Sequence, residues 1–187
     1  MRLREGSWYF RDRHMKLAQW VRFTWDLEKL PPAGVALPPH YNFSAGGPDD
    51  EKELRAVITR AFAHDNSWGR AIHEINGMID GWLERAFAEE NPALSLVLRH
   101  GLRIIGAAIL IPEDSAEDHL LPGPCVLMEY RNRGFGTALL GESLRQLREA
   151  GLTRAGAHAR ANALVAKFLY PKFDGTPTPD DTPLLAA

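Results

Sequence analysis

The segment Arg131-Asn132-Arg133-Gly134-Phe135-Gly136-Thr137 sets two arginines and two glycines where an apolar strand pattern gives way to a helical one. The first amides of a helix have no intrahelical acceptor and carry the positive end of its dipole. Glycines at 134 and 136 let a ligand come close to the backbone. These features together suit a pyrophosphate. A hydrogen bond to a charged group contributes about 1.5–3 kcal/mol, so three or four of them, less desolvation, could anchor a cofactor. The run is not a P-loop, because no Gly-Lys-Ser/Thr follows. Nor is it a full G-x-G-x-x-G, since the third residue after Gly136 is Leu139. Taken alone, the hexamer fits a helix start with two convenient glycines equally well.

Other reactive side chains carry less pattern. His64, Asp65 and His73 lack the i,i+4 pairing of a metal site, and no metal is expected. Cys125 has no histidine partner placed by sequence and reads as a small buried residue.

The elements that must position the turn follow from periodicity. Leu17, Val21, Phe23, Trp25 and Leu27 share odd positions, as in a strand with one buried face. Ser7 to Arg11 is its candidate hairpin partner, with Asp12 to His14 as the turn. Prolines at 31, 32, 38 and 39 mark a linker, so residues 1–36 read as an N-terminal extension. Tyr41 to Ala45 is a short strand. Asp49 and Asp50 lie where a helix cap is wanted, ahead of the stripe Leu54, Val57, Ile58 and Phe62. A second helix is expected over 67–89, weakened by Gly77 and Gly81. Strands over 94–99 and 102–111 flank the compact turn His100-Gly101. A strand over 120–128, a helix over 134–150 closed by Gly151, a strand over 153–160 and a helix over 162–173 complete the series. The Pro/Thr/Asp-rich tail, 176–187, reads as loose. This order predicts an α/β protein, a mixed sheet flanked by helices.

Composition excludes several classes. The 187 residues are 45% apolar and 25% charged, with formal net charge -2, so nucleic acid and acidic membranes exert no general pull. No run of 18 apolar residues exists to span a membrane, and Met1 to Glu5 does not begin a signal peptide. With one cysteine and so no intrachain disulfide, a cytoplasmic protein is the expectation.

The run Val126-Leu127-Met128-Glu129-Tyr130-Arg131-Asn132-Arg133-Gly134-Phe135-Gly136-Thr137-Ala138-Leu139-Leu140 resembles the central motif of the GNAT superfamily of N-acetyltransferases. There, a strand is followed by Arg/Gln-x-x-Gly-x-Gly/Ala and a long helix. The resemblance extends over 37–175 in element order and is specific from about 120 to 173. It implies the GNAT acyl-CoA N-acyltransferase fold, with the extension as an added β-hairpin. It implies that amides from Arg131 to Thr137 hold the pyrophosphate of acetyl-CoA, and that Val126 and Met128, around Leu127, pair with the pantetheine arm where the strand splays open. Tyr170, near the end of the last helix, matches the tyrosine that protonates the departing thiolate in such enzymes. The family's pantetheine asparagine stands seven residues before that tyrosine. Here Ala163 holds that place and Asn162 precedes it.

The implied reaction is transfer of an acetyl group from acetyl-CoA to a primary amine, on a small molecule or peptide, by direct attack. A non-catalytic acyl-CoA binding module is the alternative. An attacking amine must first lose a proton, and Glu117, Asp118 and His119 are the candidate bases, although as a group they read more readily as solvated loop charges. Asp65 to Trp68, between the first two helices, fall where the family builds its acceptor wall. The family also has strands after the last helix, where only a short tail is read here. The N-terminal hairpin, from the same chain or from a partner in a homodimer, is expected to cover that edge.

Overall fold

The computed structural model describes residues 20–31, 36–65, 72–89 and 93–180. The proposed hairpin partner Ser7 to Arg11, the Asp12 to His14 turn, Leu17, Asn66 to Trp68 and residues 181–187 lie outside them, as do the aromatics before Trp20 on which the homodimer expectation rests.

Two antiparallel sheets form the frame. One has the order β2 (Tyr41–Ala45), β3 (Leu94–His100), β4 (Arg103–Leu110), β5 (Cys125–Val126). Helices α1 (Glu51–Ala63) and α2 (Ile72–Ala86) cover one face, through Leu54, Ile58, Ile75 and Ile79 against Val97 and Ile109. Helix α3 (Phe135–Glu149) covers the other, through Leu139, Leu140 and Leu144 against Leu96, Leu98 and Ile105. Strands β3 and β4 are therefore apolar on both faces, the pattern of a sheet with two covers. Gly101, at φ 59°, makes the turn between them.

The second sheet has the order β6-β1-β7, with β1 (Trp20–Asp26) between β6 (Arg154–Arg160) and β7 (Thr176–Asp180). The N-terminal strand thus covers the exposed side of β6 from within the same chain. Large residues meet small ones across this pairing: Phe23 opposite Ala157, and Trp25 opposite Ala155. That leaves room for further aromatic packing on the same face.

Three expectations need correction. The tail read as loose contains β7. Its prolines, 177 and 179, alternate with Thr176, Thr178 and Asp180. The donor-less residues therefore share one side of the strand, leaving the intervening amides to pair with β1. The strand expected over 120–128 shrinks to Cys125–Val126 plus a single bridge from Leu120 to Leu110, because prolines at 122 and 124 interrupt it. The last helix, expected over 162–173, is one π-helical turn, Val165–Leu169. Phe173 and Asp174 then take left-handed φ values of 57° and 60°, which turn the chain into β7.

Candidate functional site

Helix α3 starts at Gly134, whose φ of 85° suits a residue without Cβ. No side chain caps this start, and its first turn holds no acidic residue. The leading amides are left for an external acceptor. A Cβ on Gly136 would touch only the side chain of Leu169, at 3.8 Å, so the space before the turn is open. At its other end, Leu152 N–H bonds to Leu147 and Gly151 N–H to Arg148, a glycine-closed terminus that fixes the helix beneath the turn.

The turn forms one wall of a cavity of about 570 Å³ between the two sheets. Among the described residues no ladder joins β5 to β6. The loop before β5 is instead pinned to β6 by a pair of hydrogen bonds. His119 N–H donates to Gly156 O (2.7 Å), and Gly156 N–H donates to His119 Nδ1 (3.0 Å). A Cβ on Gly156 would press to 2.8 Å from the Glu117 carbonyl, so only glycine lets the loop lie this close. Beyond this pin the strands part, and the cavity fills the gap. Phe62, Met78 and Trp82, from α1 and α2, line its far side.

Tyr170 lines the cavity while remaining 3% exposed. Its N–H bonds to Val165 O at 2.8 Å, the i to i+5 bond of the π turn. Phe23 and Trp25 of β1 meet its ring edge-on, at centroid distances of 5.4 and 5.2 Å. Trp25 is in turn held by Nε1–H donating to Lys172 O. The hydroxyl sits against Gly123, where a Cβ would collide with it. Burial pushes the phenol's pKa up, with the neighbouring Cys125 and Asp118 adding to the rise. The group is therefore a proton donor at neutral pH.

The loop before β5 supplies a second polar centre. Asp118 and His158 both line the cavity. His158 Nδ1 lies 2.7 Å from Asp118 Oδ1, and its Nε2 lies 2.6 Å from Asp180 Oδ2. Glu117 turns its carbonyl to Arg22. Burial pushes His119 below its ordinary pKa, in keeping with its acceptor role toward Gly156. Of the three candidate bases, Asp118 alone lines the cavity.

The other sequence-derived residues divide. Val126, Arg131, Asn132, Gly134, Gly136 and Thr137 line the cavity with Tyr170. The Arg131 guanidinium turns inward, donating to Val126 O (2.9 Å) and Ala61 O (3.0 Å), and so ties β5 to the end of α1. The Met128 carbonyl accepts from Arg131 N–H. Leu127 and Phe135 are buried, while Met128 is half exposed. Arg133 lies over the Tyr130 ring at 5.9 Å. Asn162 is exposed in the turn after β6, and its neighbour Ala163 lines the cavity. Cys125 lines it as well, its thiol pushed up to about 12 by burial and so inert. Asp65 also lines the cavity. Sequence reading missed His158, Asp180, Trp20 and Trp82. For His158 the only signal was its place on the polar side of an alternating strand.

Among the described residues no helix is long and apolar enough to cross a membrane. No curated protein sequence matches the chain. Solved structures do. A Drosophila protein is 12% identical over 87% of this chain and 48% of its own length, with a TM-score of 0.58. A GCN5-related N-acetyltransferase from Sphaerobacter thermophilus is 19% identical over 87% and 49%, with the same TM-score. Another from Ralstonia eutropha is 18% identical over 79% and 99%, at 0.57. The chain spans about half the length of the first two, and at these identities the likeness is one of fold. The profile of the Acetyltransferase (GNAT) family matches residues 52–175, and with two thirds of its length inside that match the chain belongs to the GNAT family.

Proposed function

We propose that this protein binds acetyl-CoA at the Arg131 to Thr137 turn and transfers its acetyl group to a primary amine. The observation that carries this is the meeting, in one cavity, of an uncapped glycine-opened helix start with Tyr170. The α3 amides hold the pyrophosphate. The pantetheine lies in the gap beside β5, with the thioester toward Tyr170. A neutral amine attacks the carbonyl directly, and the buried phenol protonates the departing thiolate. In this reading residues 37–175 are the transferase unit, and Trp20–Asp26 is a strand lent by the extension. The setting is cytoplasmic, as the lone cysteine suggests.

The test is thiol release from acetyl-CoA in the presence of a panel of amines. Release that depends on the amine supports transfer. Acetyl-CoA binding without release would leave the chain an acyl-CoA binding module.

A further inference from the structure

Resting on that reading, we infer that Asp118 takes the proton from the acceptor ammonium and that His158 passes it to Asp180. Direct attack needs a neutral nitrogen, whereas an alkylamine is protonated at neutral pH, as lysine is (ordinary pKa about 10.4). A base must therefore face the cavity. Asp118 does so from the loop pinned to Gly156. It also stands close enough to Tyr170 for its charge to act on the phenol. The proton acceptor and the proton donor thus share one end of the cavity.

His158 gives the proton a way out. Its two ring nitrogens face two carboxylates on opposite sides of the imidazole. A ring with a single N–H serves only one of them as donor. A proton arriving on Asp118 moves to Nδ1, and the Nε2 proton moves to Asp180. The ring is left with its N–H on Nδ1; once product has left, Asp180 returns a solvent proton to Nε2 and Asp118 gives the Nδ1 proton to water in the open cavity, which restores the starting tautomer. The side chains are 10%, 5% and 23% exposed for Asp118, His158 and Asp180, so the path runs from the cavity through the buried ring to the most accessible group. The opposed placement of the carboxylates also keeps them from sharing one metal ion.

The proton count closes. The ammonium loses one proton to Asp118 before attack. Tyr170 gives its proton to the thiolate, and the second nitrogen proton, shed as the amide forms, restores the phenol. Arg22 of β1, paired in register with His158, and Arg160, on the same side of β6, are charged neighbours of this cluster; His119 adjoins Asp118 in the loop and is held neutral by burial, and the Cys125 thiol across the cavity is neutral too. Asp118 is the catalytic residue, and His158 and Asp180 are positioning and relay residues.

The experiment compares ethylamine, protonated at neutral pH, with hydroxylamine, which is neutral there. Both are assayed by thiol release with the full chain, after calorimetry has established acetyl-CoA binding for each variant. Asp118→Asn should lower ethylamine turnover by about 100-fold at neutral pH, in the range that general base removal produces. The remaining rate should rise about tenfold per pH unit toward the amine's own pKa, because only the free base reacts. Hydroxylamine turnover should change by less than about threefold. His158→Gln should show the same pH slope with a loss of roughly tenfold. Equal losses with both amines, or an unchanged ethylamine rate in Asp118→Asn, would overturn the relay. Failure of the wild type to bind acetyl-CoA, or to release thiol with either amine, would instead strike the underlying reading, so the two failures are told apart.

Discussion

The two ends of the cavity are built in opposite ways. The anion end comes from one unbroken stretch, Arg131 to Thr137, where a left-handed glycine starts a helix and leaves its amides unclaimed. The acid-base end comes from five separated pieces: β1 with Phe23 and Trp25, the loop at Asp118, β6 with His158, Tyr170 after the π turn, and β7 with Asp180. A local device needs little besides its own residues. A composite one depends on the register of three strands, so small displacements should weaken it first.

Tyr170→Phe gives the largest contrast. Removing the hydroxyl should slow turnover by about 100-fold, the low end for loss of a general acid, while acetyl-CoA binding changes little. Steady-state kinetics beside calorimetry would show it, and full activity in the variant would dismiss Tyr170 as the proton donor.

Gly156→Ala and Gly123→Ala probe the composite end by crowding. A Cβ at 156 meets the Glu117 carbonyl, and one at 123 meets the Tyr170 hydroxyl. Each should destabilise by about 1–3 kcal/mol, as overpacking does. The two are separable. Adding Tyr170→Phe should restore part of the stability lost in Gly123→Ala and none of that lost in Gly156→Ala. Denaturant midpoints of the four variants decide this, and equal behaviour of the two glycines would break the distinction.

The smallest effect concerns pH. His119 is held neutral in the folded protein, with its pKa lowered by burial, and the unfolded chain takes up a proton more readily. Its contribution is present above the unfolded value near 6.5 and is lost as pH falls through that value toward the folded one. His119→Asn keeps an acceptor toward Gly156 N–H and does not titrate. Its melting temperature should fall less than the wild type's, by a few degrees, between neutral and mildly acidic pH. An identical fall in both proteins would remove His119 from the account.

Legibility followed the same division. The turn, α3 and its glycine stop could be read from sequence because each is a local rule: glycine at positive φ, apolar spacing, a terminus without caps. Strand β1 was legible from its odd-position aromatics, though its partner was not, because pairing joins residues at least 128 positions apart (Asp26 with Arg154). Strand β7 was misread because proline frequency was weighed without its alternation. Tyr170 was found by resemblance, whereas the edge-on aromatics that hold it belong to a segment before the family match. The His158 bridge to two carboxylates needs three chain segments to meet, which no local pattern announces.

The central claim is that the Arg131 to Thr137 turn holds acetyl-CoA, and calorimetric titration of wild type and Gly136→Val tests it most directly. A Cβ at 136 meets only Leu169 at van der Waals distance, so the larger side chain should be tolerated by the fold while filling the space before the amides. Wild type should bind acetyl-CoA, and the variant should keep its melting temperature within a few degrees while losing affinity by about 100-fold, the equivalent of one or two charged hydrogen bonds. No binding by the wild type, or equal binding by both proteins, would contradict it.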